Sequence, residues 1–228
     1  ELRHPQGLNL PKVTAGSHLQ LPVLMDNGEL SHRHYSICSN PARRDIYEVA
    51  ILLENQGSGG SIAIHEQYNI GQLLGCPTPA NHFELHTDDR PAVLIAGGIG
   101  ITPIKAMAQS LKARNVALTL HYAGRHTIEM AFRDRLQREF GEQLIIHSSA
   151  DNQRLDIRHM LLTAATDAVF YICGPMQLIS AVQDEADKLG IQAERIRFDS
   201  FSVDISDDSK PSTVTLAKSN KKIEVRSD

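Results

Sequence analysis

The sequence predicts two architectures in series: an antiparallel β barrel, then an α/β unit whose parallel sheet is doubly wound, with helices on both faces. Three observations predict it. Residues 1–88 hold short β-rich stretches separated by turn formers. A polar, proline-ended stretch, His86-Thr87-Asp88-Asp89-Arg90-Pro91, then interrupts the pattern and marks a domain boundary. From Ala92 onward, continuous apolar strands alternate with amphipathic helical runs, the pattern of βαβ units.

In the first part, strands are expected at His18–Leu24, His32–Ile37 and Tyr47–Leu53, divided by Asp26-Asn27-Gly28 and Ser39-Asn40-Pro41. Strands of this kind suggest a small barrel. The Gly57-Ser58-Gly59-Gly60-Ser61 loop then leads into a short helix through His65 and Tyr68. In the second part, residues 89–201, Ala92–Ala96 reads as a buried strand and Pro103–Arg114 as a helix, with Ile104, Met107, Ala108 and Leu111 at helical spacing. Val116–Tyr122, Leu144–His147, Ala168–Cys173 and Arg195–Phe198 read as strands. Glu129–Phe140, Leu155–Ala164 and Met176–Leu189 read as helices. A polar linker is expected over 202–212, and within residues 213–228 the stretch Thr213–Val225 reads as a β-hairpin. A lone hairpin is marginal in water, so it is expected to begin a further domain.

Composition excludes several classes. The 228 residues carry a formal net charge of −4 with interspersed signs, so no basic stripe for nucleic acid exists. No apolar run reaches the ~20 residues of a membrane span, and no secretory signal is visible in a chain that starts at Glu1. The three cysteines, Cys38, Cys76 and Cys173, match no zinc or cluster spacing; they imply a reducing cytoplasm and no disulfide framework. His32 and His34 share a strand face but lack a third ligand, so no metal site is expected in this chain.

Four motifs carry candidate chemistry. Gly97-Gly98-Ile99-Gly100-Ile101-Thr102-Pro103 sits between a buried strand and a helix start, at the sheet edge where doubly wound folds bind ligands. Its glycines permit close backbone approach, and the helix start favours anions. The alternative is a tight turn with no ligand. Cys173-Gly174-Pro175 belongs to the same edge and offers a thiol beside a ring, or simply a small core residue before a turn. In Arg33-His34-Tyr35-Ser36, strand geometry sends Arg33 and Tyr35 to one face and His34 and Ser36 to the other. A guanidinium can hold a phosphate there while the aromatic stacks on a ring; an exposed ion-paired Arg is the plainer reading. Gly59, Gly60 and Ser61 can form an anion nest at a helix start, or a hairpin tip.

The order of these motifs resembles the ferredoxin–NADP reductase superfamily, closest to the phthalate dioxygenase reductase-like components of Rieske oxygenases. The resemblance covers nearly the whole chain. It implies that Tyr35 packs on a flavin, Arg33 holds its phosphate, His34 belongs to the same motif, and Ser36 lies near the reactive N5. It implies that Gly59, Gly60 and Ser61 bind an FMN phosphate. Gly97, Gly98, Gly100, Thr102 and Pro103 form the nicotinamide loop, while Cys173, Gly174 and Pro175 place a thiol near that ring. Gly124-Arg125 meets the adenosine side, and the segment Phe198-Asp199-Ser200-Phe201 closes over the flavin with Phe201. Ser36, Thr102 and Cys173 are the residues expected at the hydride path, orienting rather than exchanging protons. Relatives carry Arg directly before Gly-Gly-Ser, where this chain has Ser58; its phosphate site then rests on Arg33, backbone N–H groups and Ser61.

The implied activity is hydride transfer from NADH to FMN, with electrons leaving singly through a 2Fe-2S domain to a Rieske-type oxygenase. Flavin is the intermediary because hydride brings two electrons and the cluster accepts one. The cluster cysteines are not in this chain, so the hairpin is expected to open a ferredoxin domain, and a first barrel strand is expected before Glu1. FMN is favoured over FAD because no adenine platform is visible. NADH is favoured because Arg125 is the only nearby cation before Arg133; comparable efficiency with NADPH would overturn that. The alternatives are an FAD- and NADPH-dependent reductase of ferredoxin or flavodoxin, and a non-catalytic nucleotide-binding module on the same fold.

Overall fold

The computed structural model describes residues 1–201 and the backbone of 212–216 and 221–225. The architecture follows the expected order. In the first part, β1 (Ser17–Leu24) pairs antiparallel with β2 (Leu30–Ser36), and the short β3 (Ala80–Asn81) pairs on the other side of β1. Along β1 every second side chain is buried, from Ser17 through Leu19 and Leu21 to Val23. Helix α1 (Gly60–Gln67) covers that face with Ala63 and Ile64.

The expected strand Tyr47–Leu53 is a correction. Tyr47 makes only an isolated bridge to Leu2, and Glu48–Leu53 joins no ladder. Serine hydroxyls take backbone donors at the start of this segment and just past its end. Glu48 N–H donates to Ser39 Oγ at 3.2 Å, and Glu54 N–H to Ser61 Oγ at 3.0 Å.

The second part is a five-stranded, all-parallel sheet in the order β6-β5-β4-β7-β8. The strands are β4 (Ala92–Gly97), β5 (Leu118–Gly124), β6 (Leu144–Ser148), β7 (Val169–Cys173) and β8 (Ile196–Asp199). Both β4 and β7 are buried along their whole length, which is why they read as unbroken apolar runs. Helices α2 (Ile101–Ala113) and α3 (Arg133–Phe140) cover one face over Leu94, Leu120 and Tyr171. Helices α4 (Ile157–Thr163) and α5 (Met176–Lys188) cover the other over Ile95, Phe170 and Ile172. The chain leaves β4 toward β5 on one side and reaches β7 on the other. The carboxyl end of β4 is therefore the switch point, where such sheets open a crevice.

Several boundaries differ from the sequence reading, α2 and β5 by two residues, and the starts of α3 and α4 have a visible local cause. Helix α3 starts at Arg133 rather than Glu129, because Phe132 adopts a left-handed φ of 61° that no helix continues through. Helix α4 starts at Ile157, with Asp156 accepting from His159 N–H at 2.9 Å as its N-cap. No described helix is long and apolar enough to cross a membrane. The C-terminal hairpin forms as expected, β9 (Ser212–Leu216) antiparallel to β10 (Lys221–Val225). The linker expected over 202–212 lies outside the described residues except for Ser212.

Candidate functional site

The register of β1 and β2 sets the first half of the site. Arg33 lies opposite Leu21 and Tyr35 opposite Leu19, on the face that α1 covers. Tyr35 is half-buried, its hydroxyl has no hydrogen-bond partner among the described residues, and burial pushes its pKa up, with Arg33 pulling it back. Arg33 donates to Ser31 Oγ at 2.7 Å and across to Ser58 Oγ at 3.2 Å. The loop closes tightly on this guanidinium. A Cβ at Gly60 would sit 2.5 Å from Arg33 Nε, so only glycine lets the side chain cross the start of α1. The Ser61 hydroxyl turns the other way, holding the Glu54 backbone. The resulting cleft, about 430 Å³, is lined by Met25, Ser31, Arg33, Ser58 and Gly59 and also by the carboxylates of Asp26 and Glu29. Ser36 is buried at the end of β2. His34 points to the opposite face, where its ring stacks on His18 at 4.9 Å, and His82 lies 5.2 Å beyond His18.

The second half sits at the switch point. After β4 the chain turns through Gly98–Gly100 into α2, and this turn packs directly on the segment after β7. A Cβ at Gly100 would lie 2.2 Å from the Cys173 carbonyl oxygen. One at Gly97 would lie 2.8 Å from the Pro175 ring, and Gly174 abuts Gly97. The two motifs are thus one surface. Thr102 is buried and donates to Ile99 O at 3.0 Å, so it braces the turn, and Pro103 fits the first helical turn beside it. Cys173 is fully buried; burial first and Asp199 second push its thiol far above the ordinary range, so it is a neutral packing group. Arg125 lies at the end of β5 and lines a cavity of about 520 Å³ with Gly97, Gly98 and Pro175. Phe201 is exposed at the end of the described core.

Three features of the site go beyond the roles the sequence assigns. The first joins the halves. Lys105, one turn along α2 from Thr102, is buried and donates to Cys38 O at 2.6 Å and to Glu48 Oε2 at 3.0 Å. Arg135 from α3 holds the other oxygen of Glu48 at 2.6 Å. Burial alone would raise the Glu48 carboxyl, but these two donors outweigh it and hold it below the usual carboxylate range. The cations also lie over the Phe132 ring, Lys105 Nζ at 5.1 Å and the Arg135 guanidinium at 5.5 Å. A lysine on a helix reads as solvent-facing, so nothing in the spacing flags it.

The second is Asp199, in register with Cys173 across β7 and β8. Burial raises its carboxyl pKa, with Ser200 and His82 pulling it back. Its charge is felt by the Cys173 thiol on one side and by His82 on the other. The third is the far wall of the 520 Å³ cavity, where His147, Ser149 and Arg154 join Arg125. His147 Nε2 is 3.0 Å from His121 Nδ1, and burial followed by this neighbour holds His121 down at about 4, so the pair is neutral at pH 7.

Comparison with known proteins agrees with this geometry. Residues 94–184 match the oxidoreductase NAD-binding domain family. The chain is 36% identical to the phthalate 4,5-dioxygenase oxygenase reductase subunit of Pseudomonas putida, aligned over 99% of this chain and 69% of that one. It is also 36% identical to the carnitine monooxygenase reductase subunit of Escherichia coli, over 96% of this chain and 68% of that one. The crystal structure of phthalate dioxygenase reductase, described as modular for electron transfer from pyridine nucleotides to 2Fe-2S, superposes with a TM-score of 0.80 at 30% identity, over 98% of this chain and 70% of that one. With these relatives and the motifs meeting in their order, the chain belongs to the ferredoxin–NADP reductase superfamily, among the NAD(P)H-dependent reductase subunits of oxygenases.

Proposed function

We propose that residues 1–88 hold FMN and residues 89–201 hold NADH, and that the chain passes the donor's reducing equivalents onward to an oxygenase. A bound flavin supplies the conversion of a two-electron hydride into single-electron steps. The residues present fit it. Arg33 and the start of α1 offer a cation and unpaired N–H groups to a phosphate. The hydroxyl of Tyr35 is unpartnered beside them among the described residues, ready to meet a ring or its side chain. No aromatic residue lines the cleft beyond Arg33, which favours a terminal phosphate, FMN, over the adenine of FAD.

The observation that carries the reading is the Lys105–Cys38 bond. Cys38 is two residues past Ser36 and Lys105 three past Thr102, so this contact holds the end of the flavin strand against the start of the nicotinamide helix. A flavin and a nicotinamide bound between those ends would be held face to face, and hydride transfer needs an approach of roughly 3–3.5 Å. Ser36, Thr102 and the neutral Cys173 thiol shape and dry that space without trading protons. The phthalate dioxygenase reductase described above carries electrons to 2Fe-2S. We carry that route to this protein, with a Rieske-type oxygenase as the cytoplasmic partner.

Arg33→Ala tests the flavin site. It is expected to purify with flavin occupancy at least about tenfold below the parent at equal dilution, as loss of a charge-assisted phosphate contact implies. Mass analysis of the released cofactor identifies FMN. Full occupancy in the variant contradicts the phosphate role.

A further inference from the structure

We propose that Asp26 and Glu29 cancel the pull of Arg33 on the flavin's terminal phosphate, so that the pocket takes riboflavin as readily as FMN. The inference rests on the flavin reading above and concerns the outer end of the same cleft.

Charge comes first. Among the described residues that line the cleft, Arg33 is the only cation, while Asp26 and Glu29 are both anions. Neither carboxylate pairs with a basic side chain among the described residues; Glu29 meets only the Asn27 amide, at 3.3 Å. The start of α1 adds about half a positive charge. The lining still carries more negative than positive charge, and a phosphate brings up to two negative charges more. In the open, at a few ångströms, each pair of like charges lowers affinity by about fivefold.

Donors come second. The Arg33 guanidinium is already spent inside the protein. Its Nη1 donates to Ser31 Oγ at 2.7 Å and to His32 O at 3.0 Å, and its Nη2 to Ser58 Oγ at 3.2 Å and to Met25 Sδ at 3.8 Å. Its Nε lies against Gly60. The Ser61 hydroxyl is engaged with the Glu54 backbone. A phosphate therefore gains a hydrogen bond to Arg33 only by displacing one that exists, and such an exchange nets little.

Placement comes third. The turn between β1 and β2 that bears the carboxylates is tied to itself. Met25 N–H donates to Glu29 O at 2.9 Å, Gly28 N–H to Met25 O at 2.8 Å, and Glu29 N–H to Asn27 Oδ1 at 3.0 Å. The backbone that carries both carboxylates is fixed at the cleft. Affinity then comes from the other end of the ligand, beside Tyr35 and Ser36, and that end is the same in riboflavin and FMN.

The test is equilibrium dialysis of the purified protein against an equimolar mixture of riboflavin and FMN, with the bound flavins separated and counted. The parent is expected to carry the two within about threefold of each other. The double variant Asp26→Asn with Glu29→Gln, and separately Ser58→Arg, are each expected to shift that ratio at least about tenfold toward FMN, since the first removes two like charges and the second adds a cation where Arg33 reaches across the cleft. All three positions are exposed, and a thermal melt checks that the variants fold. A parent that prefers FMN by more than threefold overturns the proposal. So does a double variant with the parent's ratio, which shows that the carboxylates turn away from the phosphate. A chain that takes FMN alone keeps the flavin reading and loses this inference. One that takes up neither flavin contradicts both.

Discussion

Gly100→Ala is expected to lower stability by about 2–3 kcal/mol, as overpacking at a closed contact does, and to abolish nicotinamide binding while flavin is retained. The added Cβ would stand 2.2 Å from the Cys173 oxygen and 2.4 Å from its carbonyl carbon. Both are backbone atoms of fully buried Cys173 at the carboxyl end of β7, so no side chain can swing away. Relief requires the turn after β4 to move off the Cys173-Gly174-Pro175 segment, which dismantles the nicotinamide surface at the switch point. A thermal melt reads the first effect, a fall of roughly 5–10 °C for a protein of this size. Titration of the flavin spectrum with NAD+ reads the second. A variant with the parent's melting temperature and nucleotide affinity contradicts the contact.

The second large effect is at the join between the two halves. Glu48→Ala leaves the buried Lys105 with the Cys38 carbonyl and the Phe132 ring but no counter-charge, and an uncompensated buried charge costs about 3–5 kcal/mol. The double variant Glu48→Met with Lys105→Met is expected to recover most of that loss, because replacing a buried pair by apolar groups of similar volume is often neutral. The two outcomes separate stability from geometry. If the pair also aligns the rings, the double variant regains its denaturation midpoint but still transfers hydride more slowly than the parent. Denaturant midpoints and rapid-mixing flavin reduction measure both. A single Glu48→Ala variant as stable as the parent contradicts the ion pair's role.

How much of this was legible in the sequence follows the kind of physics involved. The strands β4 and β7 were legible because full burial on both faces makes them continuous apolar runs. The loop after β4 and the segment after β7 were legible as one edge because parallel strands put their carboxyl ends together. Arg33 and Tyr35 on one face follow from the alternation of a strand. Helix α3 was misjudged at its start because Phe132 takes a left-handed conformation, which tertiary packing under Lys105 and Arg135 imposes and no local pattern announces. The strand expected at Tyr47–Leu53 does not form: Tyr47 pairs only with Leu2, and Glu48 N–H goes to the Ser39 hydroxyl rather than to a neighbouring strand. Lys105, Glu48 and Arg154 were also illegible. Each gains its meaning from a partner or a wall tens of residues away, and a charged side chain alone reads as a solvated one.

Anaerobic addition of NADH to the purified, flavin-loaded protein tests the central claim most directly. The account predicts that the visible flavin absorbance bleaches within the mixing time of an ordinary cuvette experiment and returns when a one-electron acceptor is added. Flavin that stays oxidised in the presence of excess NADH and NADPH, in a protein that retains its cofactor, would mean that the rings do not meet between Ser36 and Thr102.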